Sequence, residues 1–225
     1  MELITHESGD DLAANVAARI SRSINQADGQ FSLAIAGGST PERTYKLMRR
    51  TSTEWEKVNA WLGDERWVPH GSERSNGRMA NEALFDHIST DLLRPEYGPA
   101  MDPSASAIAY ARTISGVHGA DGRPDLILLG LGDDGHTASL FPGSQALDET
   151  EQTYVANRIP ETGEARLTAT YPLIHSAHLV LFMVVGENKA RALAETMAGK
   201  TPASRVEDGD ARVEWHVDRA AASLL

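Results

Sequence analysis

The sequence predicts an α/β protein built on an open, mainly parallel sheet with helices on both faces. Two observations carry that prediction. Short, near-continuous apolar runs recur along the chain, as expected of strands buried on both sides. Each runs into a glycine-containing turn and then into polar residues that often open a helical pattern, the alternation that builds parallel sheets. With 225 residues, 41% of them hydrophobic, there is ample material for one sizeable core. The simplest organisation is a single domain over residues 1–225, with no internal repeat.

Taken in order, the first element is a helix. Leu12, Val16 and Ile20 fall on one helical face, and Ser8 with Asp11 forms a capping pair at its start. FSLAIA (31–36) is the first core strand and enters Gly37, Gly38, Ser39, Thr40 and Pro41. Either Ser39 or Thr40 suits the cap of the next helix, Pro41 suits its first turn, and Ser39 and Glu42 have capping-box spacing. VNAWL (58–62) leads into GDERWVPHGSERSNGRMA, while RPEYGPAMDPSAS (94–106) reads as a loop inside the domain. DLILLGL (125–131) leads into GDDGHTASLFPG, and HLVLFMVV (178–185) into GENKARALAETM. RVEWHV (212–217) alternates Val213, Trp215 and Val217 before Asp218, placed to cap a short final helix. Open sheets of this kind bind ligands beyond the carboxyl ends of their strands. The four strand-ending turns carry the reactive residues of the chain, so they predict one composite site.

Composition narrows the function. A formal charge of −11 disfavours nonspecific binding to nucleic acid or acidic membranes, which needs a basic face. Cysteine is absent, excluding disulfides, thiolate nucleophiles and zinc–cysteine sites. The amino terminus lacks the basic and apolar regions of a signal peptide, and the run HLVLFMVVG is too short to span a bilayer. These features lead us to expect a soluble, cytoplasmic protein.

The loops then supply the chemistry. Gly37 and Gly38 permit close backbone approach, and N–H groups at the following helix start suit a phosphate; the alternative is a tight turn with no ligand. No Walker loop is present. Residues 130–135 formally match G-x-G-x-x-G, but the match lies past mid-chain, Val155 stands where a ribose-binding acid is expected, and the aspartates would repel a pyrophosphate. Asp133, Asp134 and His136 could each ligate a metal, yet no second histidine stands at helical spacing. General acid–base use of His136, oriented by a carboxylate, is the more economical reading, since imidazole titrates near neutrality. The alternative is a histidine that merely caps a helix. Which aspartate serves it is a question of geometry. Asp64, Glu65 and Arg66 end another strand; Arg66 could grip a phosphate or carboxylate, or the three could form a local ion pair. Ser75 and Asn76 are hydrogen-bonding candidates, or simply loop residues. Lys189, three residues after Gly186, could bring a cation to the same edge or simply face solvent. Ser39 and Ser139 lack a G-x-S-x-G elbow, so a serine hydrolase is a poor fit.

Together, AGGSTP, GDERWVP followed by Ser75-Asn76, GLGDDGHTASLFPG, RLTATYPLI and GENKA occur in an order that resembles the 6-phosphogluconolactonase family. That resemblance spans residues 31–195 or so. It implies hydrolysis of 6-phospho-D-glucono-1,5-lactone in the oxidative pentose phosphate pathway, without metal or cofactor, on a fold shared with glucosamine-6-phosphate deaminases and ribose-5-phosphate isomerases. It makes His136 the general base and Asp134 its partner. It gives the phosphate to Arg66, Lys189 and the Gly37-Gly38-Ser39-Thr40 turn, with Arg166 and Asp64 as further substrate contacts. The expected partner is this small lactone alone, and the expected state a monomer. Amino-sugar phosphate deaminases on this fold carry a glutamate five residues after the histidine and Asp-Glu-Tyr in the second loop. Here those positions are Phe141 and Asp64-Glu65-Arg66, which favours the lactonase. A noncatalytic sugar-phosphate sensor is the remaining rival, and no basic helix-turn-helix segment precedes residue 31.

Overall fold

The computed structural model describes residues 1–119 and 121–225. Seven strands form a wholly parallel sheet in the edge-to-edge order β1 (Glu2–His6), β10 (Arg212–Asp218), β9 (Leu179–Val184), β6 (Leu126–Gly130), β2 (Phe31–Ile35), β3 (Val58–Leu62) and β5 (Leu92–Leu93). All five expected strands are present, with β1 and β5 added at the two edges.

Alternation along these strands divides the core. Leu33, Ile35, Leu126 and Leu128 face α1 (Gly9–Gln26), α2 (Ser39–Met48) and α3 (Asn76–Ala83), whereas Ala34, Ile127 and Leu129 face α4 (Pro103–Ser115), α5 (Tyr171–Ser176) and α6 (Ala190–Met197). Both faces are therefore covered, which is why the strands read as continuous apolar runs. Leu12, Val16, Ile20 and Ile24 of α1 are fully buried, each side chain contributing about 1.5–3 kcal/mol. The Ser8 hydroxyl accepts from the Asp11 N–H, as its spacing predicts. The 94–106 stretch is a loop up to Asp102, which caps α4 through the Ser104 N–H, so its last residues belong to the helix. Asp218 does accept from the Ala221 N–H, but residues 219–224 form turns and not a helix; its carboxylate also holds the Gly186 N–H.

Strand order reverses between β2 and β6: β3 and β5 lie outward from one, β9 and β10 from the other. The loops leaving β2 and β6 diverge there and open a crevice. Gly63 ties β3 to a second, three-stranded antiparallel sheet, β4 (Asp64–Arg66), β8 (Ala165–Ala169) and β7 (Tyr154–Arg158). Its N–H donates to Ile35 O and its carbonyl accepts from the Ala169 N–H. That small sheet walls the crevice opposite the β6 loop. Among the described residues, no helix is long and apolar enough to cross a membrane.

Candidate active site

Beyond β6 the backbone doubles back, with the Gly132 N–H donating to His136 O at 2.8 Å and the Gly135 N–H to Gly132 O at 3.1 Å. Gly132 is required by contact: a Cβ there would lie 2.1 Å from His136 Nδ1. The turn delivers Asp134 Oδ1 to 2.5 Å from His136 Nδ1 and 3.1 Å from its backbone N–H. Geometry thus selects Asp134 as the partner of the imidazole. With a carboxylate accepting at Nδ1, the proton resides there and Nε2 presents its lone pair. Phe141 packs against the ring with centroids 4.2 Å apart, fixing its plane from the other side.

Asp133, one residue earlier, turns to a different partner. Its Oδ1 accepts from Lys189 Nζ at 2.5 Å and Asn188 Nδ2 at 3.2 Å. The hydrogen bond from Lys189 holds its carboxyl below the usual carboxylate range, against a smaller opposing effect of burial. Lys189 sits at the start of α6, where its N–H donates to Gly186 O.

On the opposite wall, Asp64, Glu65 and Arg66 do not pair with one another as ions. Glu65 is buried and accepts from the Ser75 hydroxyl and from the N–H groups of Arg66, Asn76 and Gly77, at 2.7–2.8 Å. It thereby binds the N-terminus of α3 to β4, with a negative charge where the helix dipole favours one. Asn76 then stands between the remaining two. Its Oδ1 accepts from Arg66 Nη1 at 2.7 Å, and its Nδ2 donates to the Asp64 carbonyl at 3.0 Å and to Oδ1 at 3.4 Å. A Cβ on Gly37 would fall 2.1 Å from Asn76 Oδ1, so the glycine makes room for this amide. Asp64 Oδ2 accepts from the Ser139 hydroxyl at 2.7 Å.

Arg66 and Arg166 are register partners across β4 and β8, which sets two guanidinium groups side by side. Arg166 is only 9% exposed. Its Nη2 donates to Glu164, but Nη1 is buried with no partner among the described residues. Burial lowers its pKa, with the adjacent Arg66 pushing the same way and Glu164 opposing. A buried N–H with no acceptor is costly, and a bound anion would satisfy it.

At the end of β2, the helix cap differs from the expected one. Gly38, at φ 111°, is the N-cap, and neither Ser39 nor Thr40 supplies a side-chain cap. The helix starts earlier because glycine tolerates this conformation, so Ser39 and Thr40 become its first two residues. Their N–H groups have no intrahelical acceptor, and Pro41 carries none.

These elements enclose a cleft of about 450 Å³ lined by Gly37, Gly38, Asp64, Arg66, Asp133, His136, Arg166 and Lys189, among others. Three sequence candidates do not line it: Asp134 lies behind the His136 ring, and Ser39 and Thr40 stand beside the cleft in the first turn of α2. Asn76, a hydrogen-bonding candidate from the sequence, lines it, as do Ser139 and Phe141, to which the sequence assigned no part in the site. Ser139 and Phe141 lie in the histidine-loop motif, and that is their only signal as site residues. Among the described residues, no group of three or more acidic or histidine side chains converges as a metal site would require.

The family model described as glucosamine-6-phosphate isomerases/6-phosphogluconolactonase matches residues 7–215. A 6-phosphogluconolactonase from Synechocystis sp. is 38% identical, covering 81% of this chain and 78% of the relative. Its counterpart from Nostoc sp. is 34% identical, covering 88% and 85% respectively. The solved 6-phosphogluconolactonase of Trypanosoma brucei superposes with a TM-score of 0.85 at 29% identity, over 100% of this chain and 98% of that one. With the fold, the motif order and these relatives in agreement, the chain belongs to the glucosamine-6-phosphate isomerase/6-phosphogluconolactonase family.

Proposed function

We propose that this protein hydrolyses 6-phospho-D-glucono-1,5-lactone to 6-phospho-D-gluconate, as its 6-phosphogluconolactonase relatives are named for doing, in the oxidative pentose phosphate pathway. The observation that carries the reading is the Asp134-held His136, lining a cleft that also holds Arg166, whose Nη1 has no partner among the described residues.

In this mechanism the substrate phosphate binds Arg66, Arg166 and Lys189, together with the free N–H groups at the start of α2. Holding the remote phosphate orients the lactone carbonyl toward His136. Nε2 takes a proton from water as the water oxygen attacks C1, and Asp134 stabilises the resulting imidazolium. Collapse of the tetrahedral adduct breaks the bond between C1 and the ring oxygen, which takes the proton back from Nε2. The carboxylic acid so formed ionises and releases one proton to solvent. A lactone is already an activated ester, so the reading needs neither a covalent nucleophile nor a metal. Phe141, packed on the imidazole, leaves that position without the carboxylate that deaminases carry. The reading assigns the activity to a single-domain monomer in the cytoplasm, which gel filtration of the purified protein and fractionation of the host cell would check.

The test is hydrolysis of freshly generated lactone at neutral pH, with the spontaneous rate subtracted. Wild type should accelerate the reaction, and His136→Ala should lower kcat by about 10²–10⁴-fold while remaining folded. No acceleration by wild type would overturn the reading. Full activity in His136→Ala would remove the base.

A further inference from the structure

The cleft holds three cationic side chains, Arg66, Arg166 and Lys189; Arg166 pairs with Glu164, and Lys189 with the exposed Asp133. We propose that Asp133 is a counter-charge to Lys189 that weakens the grip of the cleft on anions and so speeds release of the more highly charged product. This rests on the lactonase reading for its benefit to turnover, though not for the binding effect itself.

The chemistry makes such a counter-charge useful. Hydrolysis converts a neutral ester into a carboxylate, so the product carries one more negative charge than the substrate. A site whose cations were all free would bind the product more tightly than the substrate and release it slowly. Asp133 opposes that bias from the rim: its side chain is 71% exposed, while that of Lys189 is 24% exposed. The arrangement also argues against a purely structural clamp. The backbone of Lys189 is fixed by its own turn, through its bond to Gly186 O at the start of α6, so Asp133 engages only the ammonium at the end of the side chain. Asp133 in turn contributes nothing to the imidazole's hydrogen bonds, which Asp134 makes alone. Asp133 therefore acts through Lys189, as a positioning and charge-balancing residue, and not by touching the reacting atoms.

The sign of the effect separates this role from a clamp. Replacing Asp133 by Asn frees the Lys189 ammonium from its ion pair to turn to the bound anion, which near the surface should tighten binding by about fivefold at low salt. Calorimetry with inorganic phosphate and with 6-phosphogluconate should show both dissociation constants falling by that factor in Asp133→Asn. The product inhibition constant should fall in parallel, and kcat should drop more than kcat/KM. Asp133→Glu should restore wild-type values. In a Lys189→Met background, Asp133→Asn should change binding by less than twofold. Unchanged or weaker anion binding in Asp133→Asn would overturn the proposal and leave Asp133 as a clamp. Equal tightening in the Lys189→Met background would also overturn it, since the effect would not run through the lysine. The calorimetric arm needs no turnover, so its outcome stays separate from failure of the lactonase assay.

Discussion

At the scale of single residues, one oxygen holds the imidazole in two ways. Asp134 Oδ1 accepts both from His136 Nδ1 and from the His136 backbone N–H. In Asp134→Asn the backbone bond keeps the amide oxygen in place, so the tautomer survives and only the charge is lost. A hydrogen bond to a charged group contributes about 1.5–3 kcal/mol against about 0.5–1.5 for a neutral one. We therefore expect kcat to fall roughly tenfold in Asp134→Asn and about 10²-fold or more in Asp134→Ala. KM should hold in both variants, because neither touches the phosphate; a rise in KM equal to the fall in kcat would refute this division of roles. Arg166 predicts the opposite split. Its buried Nη1 has no partner among the described residues, so Arg166→Gln should raise KM by about 10–100-fold through the loss of a charge-assisted contact, with kcat changing severalfold at most. Steady-state kinetics on fresh lactone would check both.

At the scale of elements, the site depends on how α3 is fastened to β4. Glu65 accepts from three donors at the helix start and from the Arg66 N–H on its own strand, and the helix in turn carries Asn76, which spans Asp64 and Arg66. Glu65→Gln would set an amide NH₂ against N–H and O–H donors that now face a carboxylate oxygen. A mispaired buried group costs about 1–3 kcal/mol, which denaturant unfolding would detect, and KM should rise with it as Arg66 loses its support. Unchanged stability would mean that the cap is dispensable. The core strands were legible because burial on both faces forces continuous apolar runs such as 126–130 and 179–184. The small sheet was not, since β4 is three charged residues and β8 mixes arginine and threonine with aliphatics. Nor was β1, an edge strand whose first residues face solvent. Within the site, the glycine-rich turn and its histidine could be read from local sequence, because the turn and the Asp134 contact lie within five residues. The Lys189–Asp133 pair and the Ser139–Asp64 bond join residues 56 and 75 apart in sequence, and only the folded chain brings them together.

At the scale of the whole molecule, the two ends of the chain meet in β1 and β10, and the contact between them is titratable. His6 Nε2 lies 3.0 Å from His216 Nδ1, with the rings nearly parallel. Burial pulls the pKa of both below the usual imidazole value, more than neighbouring carboxylates raise it. His118, half-buried beside Trp61, is lowered for the same principal reason. A histidine whose pKa is depressed by folding binds protons more weakly in the folded chain than in the unfolded one. Its contribution to stability is therefore complete above the unfolded value of about 6.5 and is lost as pH falls below it. Glu214 extends the loss to lower pH. Burial raises its pKa, but the bonds from Arg19 and His216 outweigh that and hold it below the usual carboxylate range, so its contribution fades below about pH 4.5. The global charge works the other way: a net −11 repels itself less as acid neutralises it, which favours the compact state. The two effects make opposite predictions for the interval from pH 7 to 5. Two buried, mutually repelling histidines outweigh diffuse surface repulsion screened over about 8–10 Å. Unfolding free energy should therefore fall across that interval, and His216→Gln should flatten the slope while leaving the share that belongs to His118. A slope of zero or of opposite sign in wild type would show that diffuse charge, and not the joined chain ends, governs acid stability.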